Sequence, residues 1–480
     1  MTIQIIVISC YILLTVVVGI ISTRRKKQNS SAFNGAGLGV LMCLAVGAGE
    51  WLGGTSTSGV AEYGFIYGLS GAWYTIANAV GIIVLALFFA KTFRKNKTIT
   101  VPGLMDSYVG GKSRLVSSII QIFILIVVGT SQLIAIGTIG EILFGFNSTV
   151  SIVILGSAVI LYTVLGGMNA VGKTNIMHML VMYIGVIIAV IVCLVQSGGF
   201  ETIASSENVN PSYFNMGTIG WEKISSWIIA SILGGCVAQA GLQPVLAAKD
   251  DKTAVRASYI TAAVVAPFGL LTALLGILAK VKYGNSVTAK LALPTLLANM
   301  NPVLGGLLIA AILAAVLSTA SPIFLSCGTI FTRDILKSNE TNSDDKKKLL
   351  WSRISTLIAG VTCIALAAIL YNLQKVLDIV YFAYGLRGSM FVVLLLGIYW
   401  KKVSPLMANI AMISTLCLGL FWVIWKQATG SYPINSHITD TYVSIFAALV
   451  ITFVGSLIIN ATKKKKEIAS DNGNNEEHDN

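Results

Sequence analysis

Ala315, Ser318 and Thr319 lie within the apolar stretch Ala315-Val316-Leu317-Ser318-Thr319-Ala320-Ser321-Pro322. Residues three and four apart share a helical face, so one backbone carbonyl and two hydroxyls are grouped there. Such a group suits a small hard cation, which takes oxygen ligands in preference to nitrogen or sulfur. Ser and Thr in apolar helices also bond back to a carbonyl one turn earlier or to a neighbouring helix. The spacing alone leaves both uses open.

Two charges interrupt other apolar runs. A carboxylate at mid-membrane costs roughly 2.5–3.5 kcal/mol even on the mild insertion scale, so Glu50 calls for a cation, a charged partner, water or a proton. Arg387, in Tyr384-Gly385-Leu386-Arg387-Gly388-Ser389, carries a planar fork suited to carboxylates. It can bind an anionic group of a solute, pair with Glu50 as a gate, or snorkel towards an interface.

The elements that position these groups follow from composition. The chain has 480 residues, of which 55% are hydrophobic and 11% charged, and its mean hydropathy is +0.81. Apolar runs long enough to cross about 30 Å of hydrocarbon recur between residues 4 and 460, about thirteen in all. The expected fold class is an all-α polytopic membrane protein.

The first run, 3–22, has no basic stretch before it and no small-residue cleavage site after it, unlike a removable signal. Arg24, Arg25, Lys26 and Lys27 follow it and place its C-terminal end in the cytoplasm. Thirteen spans then put the N-terminus outside and the C-terminus inside the cell membrane. Loops assigned inside carry 26 of the 33 Lys and Arg; those outside carry six, and Arg387 lies in a span.

The net charge of +13 therefore reads as orientation signal rather than nucleic-acid binding. All seven cysteines fall in apolar runs with no CxxC spacing, which indicates neither disulfides nor zinc. Lys112 and Ser113 follow two glycines but lack the rest of a phosphate-binding loop. The three histidines, 178, 437 and 478, are scattered, and no acid/base or nucleophile grouping suggests an enzyme. The membrane bundle, 1–462, must carry the function, and 463–480 reads as a disordered cytoplasmic tail.

Three stretches carry a family likeness: LAAVLSTASPIFLSCGTIFTRDI (313–335), YTVLGGMNAVGKTNIMH (162–178) and GLQPVLAAKDDKTAVR (241–256). With them the chain resembles the sodium:solute symporter family, carriers of proline, pantothenate, sugars and sialic acid. The resemblance implies an inverted 5+5 helix repeat of the LeuT-like kind, with one extra N-terminal helix (3–22) and two extra C-terminal helices (about 404–425 and 441–460). The halves would span about 37–196 and 225–398, each with a broken first helix whose unwound turn frees carbonyls. Glycines 47, 49, 53 and 54 in the second span and 234, 235 and 241 in the seventh are consistent with such breaks.

By the same resemblance, carbonyls of Ala48, Trp51 and Ala315 and hydroxyls of Ser318 and Thr319 would ligate a sodium ion. Glu50, Gly53, Thr55, Gln239, Gln243 and Arg387 become candidates for contact with the solute or for gating, and Asn175 and Ser321 a possible second ion position. Asn175 stands where the family pattern supplies a carboxylate, and Pro322 where some members have a second serine, which implies one sodium per cycle. A potential of about 100 mV contributes about 2.3 kcal/mol per charge, roughly fiftyfold accumulation of a neutral or zwitterionic solute.

The expected function is sodium-coupled symport of a small organic solute, a carboxylate or a zwitterion such as an amino acid, by a monomer. The alternatives are a proton-coupled symporter using Glu50 and a transport-like membrane sensor.

Overall fold

The structure, a computed structural model, describes residues 2–24, 37–336, 345–372, 376–435 and 437–476. The basic residues Arg25, Lys26 and Lys27 and the last four residues of the chain lie outside the described residues. Among those described the chain is helical, with one isolated β-bridge.

In chain order, α1 is Thr2–Arg24 and α2a is Val40–Trp51; a bend at Leu52 and Gly53 and a π-helical turn, Thr55–Gly59, lead into α2b, Val60–Tyr67. α3 starts as Trp73–Val84 and continues through Leu85–Phe89 to Ala90–Arg94, and α4 is Ser113–Phe144. The run from Ser148 to Gln196 breaks at Gly167, whose φ of 66° and ψ of 177° suit a residue without Cβ. This gives α5, Ser148–Gly167, and α6, Val171–Gln196. α7a, Trp221–Gly235, and α7b, Gln239–Leu246, meet at 41°. α8 is Asp251–Tyr283, α9 Pro302–Ile330, α10 Asp345–Leu370, α11 Val376–Tyr399, α12 Pro405–Thr429 and α13 Asp440–Glu476.

Local chemistry sets several of these boundaries. The Asp250 carboxylate accepts from the Thr253 amide at 2.7 Å to cap α8, and Asn301 accepts from the Val303 amide at 3.1 Å to cap α9, with Pro302 in its first turn. Both are favoured starts, because a side-chain oxygen satisfies an orphan amide and proline needs none.

Ten described helices are by themselves long and apolar enough to cross a membrane, eleven if the bent pair α7a and α7b is one span. The sequence suggests thirteen, and the difference lies at the N-terminal end. Ile3–Gly19 of α1 is a shorter apolar helix. The stretch Thr55–Arg94 counts as one span although Gly68, at φ 72°, turns the chain between α2b and α3, and Val40–Trp51 is too short alone. The last helix runs past the lysine cluster to Glu476, so 463–476 is helical where a polar composition suggests no order.

α9 packs on α2a, α4, α5 and α6, and α11 on α4, α7a and α13, which makes these two the inner helices. Large apolar side chains such as Leu13, Leu161, Ile184 and Phe446 face outward, as a lipid-facing perimeter requires. The β-bridge joins the chain entering α2a to the chain leaving α7b: the Leu38 amide donates to Ala247 O at 2.9 Å and the Lys249 amide to Leu38 O at 3.0 Å.

Candidate functional site

The break in α2 lies against the oxygen-bearing turn of α9. The Thr319 hydroxyl donates to the Gly49 carbonyl and, at 3.3 Å, approaches the Ala315 carbonyl. Ser318 Oγ donates to the same Ala315 carbonyl at 2.8 Å. A methyl group on Gly53 would strike Thr319 Oγ1 and Gln132 Oε1, and one on Gly49 would lie 2.5 Å from Ser318 O. Only glycine lets the two helices approach this closely.

Ser318 and Thr319 are fully buried, as are Ala48, Trp51 and Ala315. The structure therefore brings together the two halves of the ligand set inferred from the sequence. All of its donors are neutral oxygens, which fit a small hard cation. In the arrangement seen, the hydroxyls bond back to carbonyls, and Ala48 O accepts from the Leu52 amide at 2.9 Å. Asn175 bridges the same helices: its Nδ2 donates to Ser318 O at 2.9 Å and reaches Ala45 O at 3.5 Å. Asn175 Oδ1 is buried without a partner, whereas Ser321 Oγ donates to Leu317 O at 2.7 Å.

Beside the break, Arg387 Nη2 donates to Glu50 Oε1 at 3.0 Å, and both side chains have no exposed surface. The pair resolves the two unexplained intramembrane charges into one contact between α2a and α11. It is incompletely satisfied, because Glu50 Oε2 and Arg387 Nε and Nη1 carry no hydrogen bond. Buried polar groups are normally bonded, so these atoms mark capacity for a polar ligand.

Aromatic rings cover the pair on one side. The Arg387 guanidinium lies over the Tyr384 ring at 5.1 Å, and Trp51 meets the same ring edge-on at 6.1 Å. Thr55 Oγ1 and Tyr74 OH share a hydrogen bond of 2.9 Å, and Tyr74 OH approaches Tyr384 OH at 3.4 Å. Tyr381 stacks on Trp227 at 4.3 Å. Beyond that stack a cavity of about 560 Å³ includes Lys223, Asp378 and Asp440 in its lining. Lys223 Nζ donates to Tyr63 OH at 2.7 Å and to Asp378 at 3.2 Å.

At the opposite end the helices are clamped. Arg94 Nε donates to Asp251 at 2.7 Å, and its Nη1 donates to the carbonyls of Val245 and Leu246 at 2.9 and 3.0 Å. Arg114 pairs with Asp334 at 3.0 Å, and Ser326 Oγ donates to Gln243 Oε1 at 3.1 Å. Gln239 accepts from the Val101 amide at 2.7 Å and donates to Ile99 O at 3.1 Å. These bonds of Gln239 and Gln243 tie them into the clamped end.

A model of the sodium:solute symporter family matches residues 34–416. The chain belongs to the sodium:solute symporter family. The osmoregulated proline transporter OpuE of Bacillus subtilis is 26% identical over 449 residues, 89% of each chain. A sodium/proline symporter of Staphylococcus aureus is 24% identical, over 96% of this chain and 93% of its own. Among solved structures, a Na+-coupled sialic acid symporter superimposes with a TM-score of 0.78 at 18% identity, over 95% of this chain and 97% of that one. MhsT, solved with L-phenylalanine, gives 0.55 at 15%. The symporter assignment makes the chain a membrane transporter, not an enzyme, that moves a small solute with sodium as coupling ion.

Gln132 of α4 escapes sequence reasoning. Its Oε1 accepts from the Gly54 amide at 2.8 Å and so caps the chain where α2 resumes, yet one Gln in an apolar run gives no periodic signal. Tyr74, Tyr381, Tyr384 and Trp227 are likewise silent, since aromatic residues in a membrane span read first as packing.

Proposed function

We propose that the chain imports a small zwitterionic or carboxylate solute of the amino-acid class with one sodium ion per cycle. The observation that carries this reading is the Glu50–Arg387 pair at 3.0 Å, buried and with bonding positions unfilled on both partners. A zwitterion offers a carboxylate to the guanidinium and an ammonium to Glu50 Oε2, so charges too costly to leave alone in the bundle are matched. The two proline-transporting relatives fit a solute of this kind.

Sodium is held by Ala48, Trp51 and Ala315 through their carbonyls and by Ser318 and Thr319 through their hydroxyls, once those hydroxyl protons turn away. Ion binding then draws the α2 break onto α9, beside Glu50, and so links sodium to the solute. Asn175 crosslinks the same helices through its amide, which supports a single ion. The further reading is a monomer of thirteen spans in the cell membrane, N-terminus outside, with the Arg94 end cytoplasmic.

The test is uptake of labelled proline, other amino acids, monocarboxylates and sugars into proteoliposomes, with sodium, potassium or a pH gradient imposed. Sodium-driven accumulation of an amino acid, with sugars excluded, is expected. Sodium-driven uptake confined to sugars would overturn the solute class. Uptake driven by pH alone would overturn the coupling.

A further inference from the structure

Away from the central site, the perimeter at the clamped end carries a second charged feature. There Lys91 of α3 and Asp251, Lys252 and Arg256 of α8 line an open groove of about 450 Å³, together with Val255, Tyr259 and Ile260. Lys91, Lys252 and Arg256 are exposed and make no ion pair or hydrogen bond among the described residues. Of the carboxylates here, Asp251 is paired with Arg94 at 2.7 Å, whereas Asp250 caps α8 through the Thr253 amide and keeps its charge. The groove therefore carries an excess of positive charge, with three cations that have no ion-pair partner among the described residues.

We infer that this groove binds the headgroup of an anionic phospholipid of the adjoining leaflet. Charge complementarity names the phosphate, and the course of the two helices names the lipid. Lys252 and Arg256 are one turn apart, and Tyr259 and Ile260 follow on the same face one turn deeper. Tyr259 is 40% and Ile260 37% exposed. On α3 the exposed stripe Val80, Ile83 and Leu87 leads at helical spacing to Lys91. Cations therefore sit where two apolar, outward-facing stripes end, the order of a headgroup above its acyl chains. Orientation signals require only basic residues near span ends; a groove in which cations of two helices converge beside a tyrosine goes beyond that, and basic pockets between membrane helices hold anionic headgroups.

The groove adjoins the Arg94 clamp. Lys91 lies three residues before Arg94, and Lys252 directly follows Asp251, the clamp's carboxylate. A bound headgroup would sit against the contact that ties α3 and α8 to the end of α7b.

The experiment is native mass spectrometry of the purified full chain in detergent, titrated with phosphatidylglycerol or phosphatidylcholine. It compares the parent with Lys91→Gln/Lys252→Gln/Arg256→Gln and with a control, Lys401→Gln/Lys402→Gln/Lys463→Gln, that removes the same charge elsewhere. The parent and the control should retain phosphatidylglycerol over phosphatidylcholine. The groove variant should lose about fivefold in retention per cation, on the order of a hundredfold in all. Equal retention of both lipids by the parent, an unaltered groove variant, a control that loses as much, or full displacement by inorganic phosphate would each overturn the inference. Melting temperature keeps a misfolded variant apart from a lipid-blind one, and if the triple variant does not fold, Arg256→Gln alone must still show its fivefold loss.

Discussion

Arg387 of α11 reaches across the bundle to Glu50 of α2a at 3.0 Å, and neither side chain touches solvent. Removing one partner of a buried pair strands the other charge, at about 3–5 kcal/mol. Glu50→Gln and Arg387→Gln should therefore each lower the melting temperature in detergent and abolish uptake. The double variant should recover most of the melting temperature but not the uptake, because the groups assigned to hold the solute are gone. A double variant that transports normally would reduce the pair to scaffolding.

Thr319→Ala and Ser318→Ala should raise the sodium concentration for half-maximal uptake by about tenfold or more each, since a bond to a charged group is worth about 1.5–3 kcal/mol. The apparent solute affinity at saturating sodium should change little. Thr319→Ser, which keeps the hydroxyl, should stay within a few fold of the parent. Unchanged sodium curves in both alanine variants would remove α9 from the ion site.

Gly53→Ala puts a methyl group onto Thr319 Oγ1 and Gln132 Oε1. Overpacking of this kind costs about 1–3 kcal/mol, and here it pries α2 from α9. Uptake should be lost at every sodium concentration, while Gly39→Ala, where a methyl group meets nothing within 4 Å, should transport normally. Gln132→Ala should leave the fold intact and weaken both sodium and solute affinity, because the Gly54 amide loses its acceptor.

Arg94→Ala removes three bonds at once from the ends of α7b and α8. The clamped end should then open more often. Cys43 reports this: it is 3% exposed and its Sγ lies 3.2 Å from Pro244 O, close to the clamp. With Cys43 as the remaining thiol, its modification by a water-soluble maleimide should quicken several-fold in Arg94→Ala. An unchanged rate would mean that the clamp does not hold this end shut.

Much of the central site is legible in the sequence because its parts break local rules. Ser318 and Thr319 are hydroxyls in an apolar run, Glu50 is a carboxylate where none should be, and glycines crowd the second span. Each violation marks a position that needs a partner, without saying which. What stays hidden is pairing at long range. Glu50 and Arg387 are 337 residues apart, and their contact is one of several uses the residue types allow. Gln239 and Gln243 are conspicuous as polar residues of a broken helix, but the bonds that set them in the clamped end, to Val101, Ile99 and Ser326, join them to ordinary residues of other segments. Gln132 shows the limit most clearly, since its role comes from a main-chain amide on another helix.

The two-bond patch between Leu38 and the chain at Ala247–Lys249 has a mechanical meaning. Main-chain atoms alone make these bonds, so the start of α2a and the end of α7b are stapled whatever side chains stand there, and the staple tolerates sequence drift. Two interrupted helices fastened in this way lose their independence at that end, so that a movement of one would carry the other with it. The interruptions at Leu52–Gly53 and at residues 236–238, where the helical bonding is already broken, are the places where such a movement would be taken up.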